Sequence, residues 1–327
     1  MRALVTGGSG FIGSHVVDAL RSAGHEPRIF DLVRSHHHRP DEVETIVGDL
    51  RDAETLRAAV RGCDAVLHLA AVSDVNLVVE DPEHAELVNA RGTHALLEAA
   101  RLEGVDRVLY ASTVWVYGGA NGPGPHDEDV MLALPEHFYT ATKLAGEMYC
   151  HAYGNLFGLG HTILRFGIPY GPRAREATVV AAFVARANAG KQITINGDGR
   201  QSRQFVYVED LAAGIVAALS PVAAGRVYNL VGAQSVSVRE IADTVREIVA
   251  DVPIVHVPSR LADLESAEIS AERAARELGW RPTTPFVEGV RRYVEWLTPT
   301  NGTSRAAAAS MTDGRAAAVL RQEPSEL

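Results

Sequence analysis

Thr6-Gly7-Gly8-Ser9-Gly10-Phe11-Ile12-Gly13 is the stretch on which the fold turns. It follows a strand-length apolar run at residues 3–6 and opens a segment, 13–22, whose apolar residues recur at helical spacing. Gly8, Gly10 and Gly13 satisfy G-x-G-x-x-G, and Gly7, Gly10 and Gly13 satisfy G-x-x-G-x-x-G. Between a strand and a helix, such glycines allow a tight turn. They also let backbone N–H groups approach a pyrophosphate at the helix N-terminus. Asp31 closes the second apolar run, 18 residues after Gly13. Its carboxylate can accept from both hydroxyls of an adenosine ribose and would repel a 2′-phosphate, so the expected cofactor is NAD, although Arg34 is close.

Outward from this turn the pattern repeats. Residues 27–31, 65–71, 107–113 and 161–166 are further strand-length runs, and 53–60, 83–103 and 139–157 are helical segments between them. Parallel strands need helical crossovers, so the alternation predicts an α/β fold with a doubly wound parallel sheet. Past residue 166 the pattern loosens. Helices are expected at 179–188, 211–219, 238–249, 271–278 and 286–297, and strands at 192–195, 205–208 and 227–230. The expected organisation is a Rossmann domain at 1–166, with 201–231 returning to it. A smaller mixed α/β substrate lobe, 167–200 and 232–298, would lie over the carboxyl end of the sheet. Residues 299–327 show no apolar face and read as a disordered tail.

Bulk properties narrow the partners. The chain has 327 residues, 46% of them hydrophobic, and a formal charge of -10 with no basic stretch, which argues against nucleic acid. No apolar stretch approaches the roughly 20 residues that span a bilayer, and Met1 leads straight into the first strand without a leader-like segment. The expectation is a cytoplasmic protein with no membrane partner. Cys63 and Cys150 form no C-x-x-C pair and read as buried thiols. His36-His37-His38 cannot converge on one ion from consecutive positions, so it reads as a solvated loop, and no metal is expected.

Tyr139-Thr140-Ala141-Thr142-Lys143 carries the chemistry. Positions i and i+4 share a helix face, which points the phenol and the ammonium the same way. A tyrosine with a pKa of about 10 is a poor base at neutral pH, and a neighbouring Lys and an oxidised nicotinamide would both favour its phenolate.

With these residues the chain resembles the extended short-chain dehydrogenase/reductase family, in particular its NAD-dependent epimerase/dehydratase branch, from Met1 to Leu297. Gly48-Asp49-Leu50-Arg51-Asp52 is similar to the family's adenine-contacting segment, and His68-Leu69-Ala70-Ala71 to the strand end beneath the cofactor. Asn89-Ala90-Arg91-Gly92-Thr93 matches its N-x-x-G-T motif. Ala111-Ser112-Thr113-Val114-Trp115-Val116-Tyr117-Gly118 resembles the segment that ends its fifth strand. The resemblance implies Thr113 as the catalytic hydroxyl with Tyr139 and Lys143. It implies cofactor contacts from Gly7, Gly10, Phe11, Ile12, Gly13, Asp31, Asp49, Leu50, Leu69, Ala70, Ala71, Asn89 and Ser112. Further on, residues 164–172, 197–210, 260–263 and 278–282 match later motifs of the family. These imply Arg203 and Arg260 as contacts for a nucleotide-sugar diphosphate, with Val179 and Asp263 beside the substrate. A homodimer built on the helices at 83–103 and 139–157 is likewise implied.

Departures narrow the reaction. Dehydrating relatives place Asp-Glu after the catalytic Thr and decarboxylating ones often carry a nearby Glu, but Val114 and Trp115 stand there. Ile168 and Val179 replace Asn residues common in relatives, which leaves the substrate open, and Gln204 in place of the usual Asp reads as structural. The expected activity is 4-epimerisation of a nucleotide sugar through transient oxidation at C4 to a 4-keto sugar. The alternatives are a net dehydrogenase or ketoreductase of a sugar or other alcohol, and a cofactor-sensing module without turnover.

Overall fold

The structure, a computed structural model, describes residues 1–118, 124–258 and 268–298. Seven parallel strands build the main sheet: β1 (Arg2–Thr6), β2 (Glu26–Asp31), β3 (Thr45–Val47), β4 (Ala65–His68), β5 (Arg107–Thr113), β6 (Gly160–Phe166) and β10 (Arg226–Leu230). Their order is β3-β2-β1-β4-β5-β6-β10, so the winding direction reverses between β1 and β4. A crevice opens at such a reversal, at the carboxyl ends of the strands. The expected doubly wound Rossmann-like sheet is the observed one.

The strands are apolar runs because both sheet faces are covered. Consecutive residues enter opposite cores. Leu4, Val66, Val108 and Ile163 pack beneath α2 (Ala53–Val60), α5 (Gly92–Leu102) and α6 (Phe138–Phe157). Val5, Leu67, Leu109 and Leu164 pack beneath α1 (Phe11–Ser22) and α8 (Val208–Ala217). Burying one such side chain stabilises by about 1.5–3 kcal/mol. Cys63 and Cys150 are free and buried in the first of these cores.

A smaller lobe carries its own core around Tyr170, Phe183, Ile193, Phe205, Ile241 and Val290. It is built from α7 (Val179–Asn188), α9 (Val238–Ile248), α11 (Phe286–Leu297) and two small sheets. One sheet joins β11 (Ser235–Ser237), β9 (Ser202–Tyr207) and β7 (Ile168–Tyr170), and the other joins β12 (Ile254–Val257) to β8 (Ile193–Asn196).

Several expectations need correction. β9 does not return to the main sheet with the rest of 201–231; it pairs with β7 and β11 in the small lobe. Conversely α10 (Glu272–Leu278) leaves the small lobe, because Ala274 and Trp280 pack into the main core. The Trp280 Nε1–H donates to the Asp210 carbonyl (2.8 Å), and its indole lies against Gly214 so closely that a Cβ there would collide. β4 stops at His68, short of Ala71. The helix expected at 83–103 is broken into α4 (Pro82–Glu86), a π-turn (Leu87–Arg91) and α5, preceded by the unforeseen short α3 (Val75–Glu80). The histidine loop is not simply solvated. His38 is buried, with Nε2 3.0 Å from Asp18 Oδ1 and Nδ1 3.1 Å from Ser35 Oγ. The disordered-tail expectation for 299–327 lies outside the described residues.

Candidate active site

The glycine turn has the shape its sequence predicts. Gly7 sits at a φ of 72°, its N–H donates to the Phe30 carbonyl (2.9 Å), and Gly10 caps α1 without any side-chain cap. The first-turn N–H groups are therefore left for an external acceptor. A Cβ on Gly13 would strike the Gly7 carbonyl oxygen. Phe11 and Ile12 open α1, and Ile12 packs into the main core. Asp31 is half-buried at the end of β2, where Oδ2 accepts from the Ser9 N–H (2.9 Å). Burial raises its pKa, against the pull of the Ser9 and Val33 N–H groups. A cradle closed to side chains, an uncapped helix start and an acid at the strand end fit an adenine dinucleotide.

Around this cradle the other expected cofactor residues divide. Leu69, Ala70 and Ala71 lie in the segment after β4, partly buried. Asp49 is held by Arg51 (2.7 Å), which lowers its pKa although burial opposes this, and Leu50 is a core residue. Asn89, on the π-turn, acts on the loop itself. Its Oδ1 accepts from the Val72 N–H (2.7 Å), and its Nδ2 donates to the Val72 carbonyl (3.0 Å) and to Thr142 Oγ1 (3.2 Å). Ser112, at the end of β5, donates its hydroxyl to Glu147 on α6.

A buried chain of hydrogen bonds, not anticipated from sequence, runs from the end of β1 to the π-turn, whose Asn89 in turn bonds Thr142 on α6. Thr6 Oγ1 accepts from the Leu69 and Ala70 N–H groups (both 3.2 Å) and lies 2.7 Å from His68 Nδ1. With both acceptor directions used, the Thr6 hydroxyl donates to Nδ1, which assigns the proton of the neutral ring to Nε2. Nε2–H then donates to Thr93 Oγ1 (3.0 Å), which donates to the Asn89 carbonyl (2.6 Å). Burial keeps His68 neutral, with its pKa pushed down to about 3.

Thr113 ends β5, and Tyr139 and Lys143 lie in the first turns of α6, which packs on β5. Thr113 caps a 3-10 turn (Val114–Tyr117), its Oγ1 accepting from the Trp115 N–H (3.2 Å). Gly146 has no side chain to hold α6 away from Tyr110 on β5. Lys143 therefore reaches the Ala111 carbonyl (Nζ–O 2.9 Å), its Nζ 5.9 Å from the centre of the Tyr139 ring. Burial pushes the Lys143 pKa down to about 8, opposed by the Glu147 carboxylate one turn on. Burial pushes the Tyr139 phenol up to about 12, opposed by the Arg175 guanidinium.

Sequence reasoning missed three contributors. Glu147 lies four residues beyond Lys143, and its carboxylate accepts from Arg165 Nε (3.0 Å) and Nη2 (2.7 Å) in a buried ion pair. Arg165 Nη1 donates to the Tyr117 hydroxyl (2.8 Å), which donates to Asn229 Oδ1 (2.8 Å). Arg175, from the segment before α7, crosses to Ser73 Oγ (3.1 Å). The i+8 spacing from Tyr139 could have flagged Glu147; nothing in the sequence pairs it with Arg165. Of the expected substrate residues, Val179 packs against the small-lobe core, and Arg203 lies on β9 with Nη1 donating to the Ser202 carbonyl (2.7 Å). Gln204 is structural, clasping the Ile269 backbone through both amide atoms (2.9 and 2.6 Å). Arg260 and Asp263 lie outside the described residues.

Residues 3–231 match the sequence profile described as the NAD dependent epimerase/dehydratase family. The chain is 36% identical over 310 residues to a UDP-glucose 4-epimerase of Mycolicibacterium smegmatis, covering 91% of this chain and 98% of the relative. In structure it is similar to the UDP-glucose 4-epimerase of Thermotoga maritima solved with UDP-glucose (TM-score 0.85, 30% identity, 90% and 98% coverage). It is also similar to a double mutant of a dTDP-glucose 4,6-dehydratase from Streptomyces venezuelae solved with NAD (TM-score 0.83, 31% identity, 90% and 96% coverage). Together these matches show that the chain belongs to the NAD-dependent epimerase/dehydratase family and is an enzyme of that family with NAD as its cofactor.

Proposed function

We propose that this enzyme is a nucleotide-sugar 4-epimerase, with a uridine diphosphate hexose as the first substrate to test. The observation that carries this reading is the acid–base content of the site. Lys143 lies beside the Tyr139 ring, Trp115 touches both that ring and the Thr113 hydroxyl, and no carboxylate stands beside Thr113 on its own turn, where Val114 and Trp115 follow. Glu147, one turn beyond Lys143, is buried and engaged by Ser112 and Arg165. Elimination of water or loss of CO2 asks for further groups; oxidation and reduction at one carbon ask for a proton relay alone.

Bound NAD supplies the oxidant and, after transfer, the reductant. The residues do the rest. Tyr139 takes the proton from the sugar 4-hydroxyl and Thr113 holds the same oxygen. Lys143 keeps positive charge beneath the phenol and binds the nicotinamide ribose. The transient 4-keto sugar turns over in the cleft below the small lobe and is reduced on its other face. Arg203 and Arg260, with Asp263 nearby, hold the diphosphate. The helices α5 and α6 pair with a second copy, a role supported by the exposed apolar side chains of Leu102, Met148, Leu156 and Phe157. We place the enzyme in the cytoplasm, where free thiols such as Cys63 and Cys150 persist.

Tyr139→Phe tests the assignment. It should abolish interconversion of the 4-epimers while leaving NAD bound, and substantial residual turnover would refute it. The alternative of a net dehydrogenase predicts NADH accumulating in step with substrate loss.

A further inference from the structure

Trp115 has no evident structural duty. Its neighbours in the 3-10 turn, Val116 and Tyr117, are buried with Val231 and Ile269, and Val114 packs against them. The indole is in none of the hydrophobic clusters and is partly buried. What it does touch is the catalytic centre. Its ring meets Tyr139 edge to face (centroids 6.0 Å, interplanar angle 84°) and His137, at the N-cap of α6, at 6.0 Å. Its backbone N–H donates to Thr113 Oγ1 (3.2 Å).

Trp115 is thus linked to both residues that would hold the reacting oxygen, through its backbone to one and through its ring to the other. A substrate oxygen within hydrogen-bond reach of both Thr113 Oγ1 and the Tyr139 hydroxyl brings its own carbon, and the ring carbons beside it, up to the indole. An indole presents a broad apolar face and a single N–H donor, with no group that exchanges protons near neutral pH. Such a surface suits the C–H bonds of a pyranose ring, which lose water against it without leaving a polar group unpaired.

We propose that Trp115 is a specificity-determining substrate contact, an apolar wall packing against the C–H face of the sugar ring beside the carbon held by Thr113 and Tyr139. The inference rests on the nucleotide-sugar reading above and adds the residue that recognises the sugar as distinct from the nucleotide.

The experiment measures affinity of the NAD-loaded enzyme for UDP-glucose and for UDP in wild type, Trp115→Phe and Trp115→Ala, by calorimetry, with KM and kcat for epimerisation alongside. Trp115→Ala should weaken UDP-glucose binding about tenfold, the order of one lost aromatic contact, and leave UDP binding and NAD content unchanged. KM should rise by a similar factor with kcat much less affected, and Trp115→Phe should recover most of the loss. Equal weakening for UDP and UDP-glucose, or no change in either, overturns the proposal. A variant that unfolds earlier on heating and also loses NAD would assign the indole to structure and overturn it as well. Wild-type enzyme that binds no nucleotide sugar from a broader panel fails a different test. It removes the nucleotide-sugar reading itself, and this inference with it.

Discussion

Replacing Lys143 by Met should stabilise the ligand-free protein while inactivating it. The ammonium is buried at 4% relative exposure among Tyr110, Tyr139 and the Ala111 carbonyl, and burial lowers its pKa from 10.5 to about 8. At about 1.36 kcal/mol per pH unit, that shift means the charged form is held at a cost of about 3 kcal/mol. Removing it leaves the Ala111 carbonyl without that donor, an offset of about 1 kcal/mol, so the net gain near neutral pH is about 2 kcal/mol. The sign follows from proton binding. Between pH 8 and 10.5 the unfolded chain holds more protons than the native one, so wild-type stability rises with pH across this window. The advantage of the variant is therefore full below about pH 8 and gone by pH 10.5. Urea unfolding of both proteins, stripped of NAD and followed at several pH values, measures it. A Lys143→Met protein less stable than wild type at neutral pH, or an advantage that does not shrink as pH rises, would refute the reasoning.

Glu147→Gln should destabilise by about 3–5 kcal/mol, because it leaves the buried Arg165 guanidinium without its counter-charge. The double variant Glu147→Gln with Arg165→Met should recover part of this, and thermal unfolding of the single and double variants checks both. Gly13→Ala should fold yet bind NAD far more weakly, since its methyl and the Gly7 carbonyl compete for one position at the turn; equilibrium dialysis with NAD reads the loss, and unchanged binding would remove the cradle from its assigned role.

What could be read from the sequence followed from burial. Strands β1, β4, β5 and β6 are covered on both faces, so runs such as Val108-Leu109 are apolar throughout and visible. Strands β3, β7 and β11, of three residues each, carry no period to detect. The break at Leu87–Arg91 was hidden because a π-turn keeps helical composition; only the Asn89 bonds to Val72 reveal what it does. The Tyr139 and Lys143 pair was legible from i,i+4 spacing, and Thr113 from the motif around it. The Glu147–Arg165 pair was not, because the β5–β6 register sets Ser112 beside Arg165 and no local spacing encodes that.

The most direct test of the account is incubation of the purified enzyme with UDP-glucose, UDP-galactose and a panel of other nucleotide sugars, with chromatographic separation of the 4-epimers and NADH absorbance recorded in the same samples. The account predicts that at least one pair of 4-epimers interconverts to the same mixture from either side with no net NADH. Substrate loss matched by accumulating NADH, or a dehydrated or decarboxylated product, would contradict it.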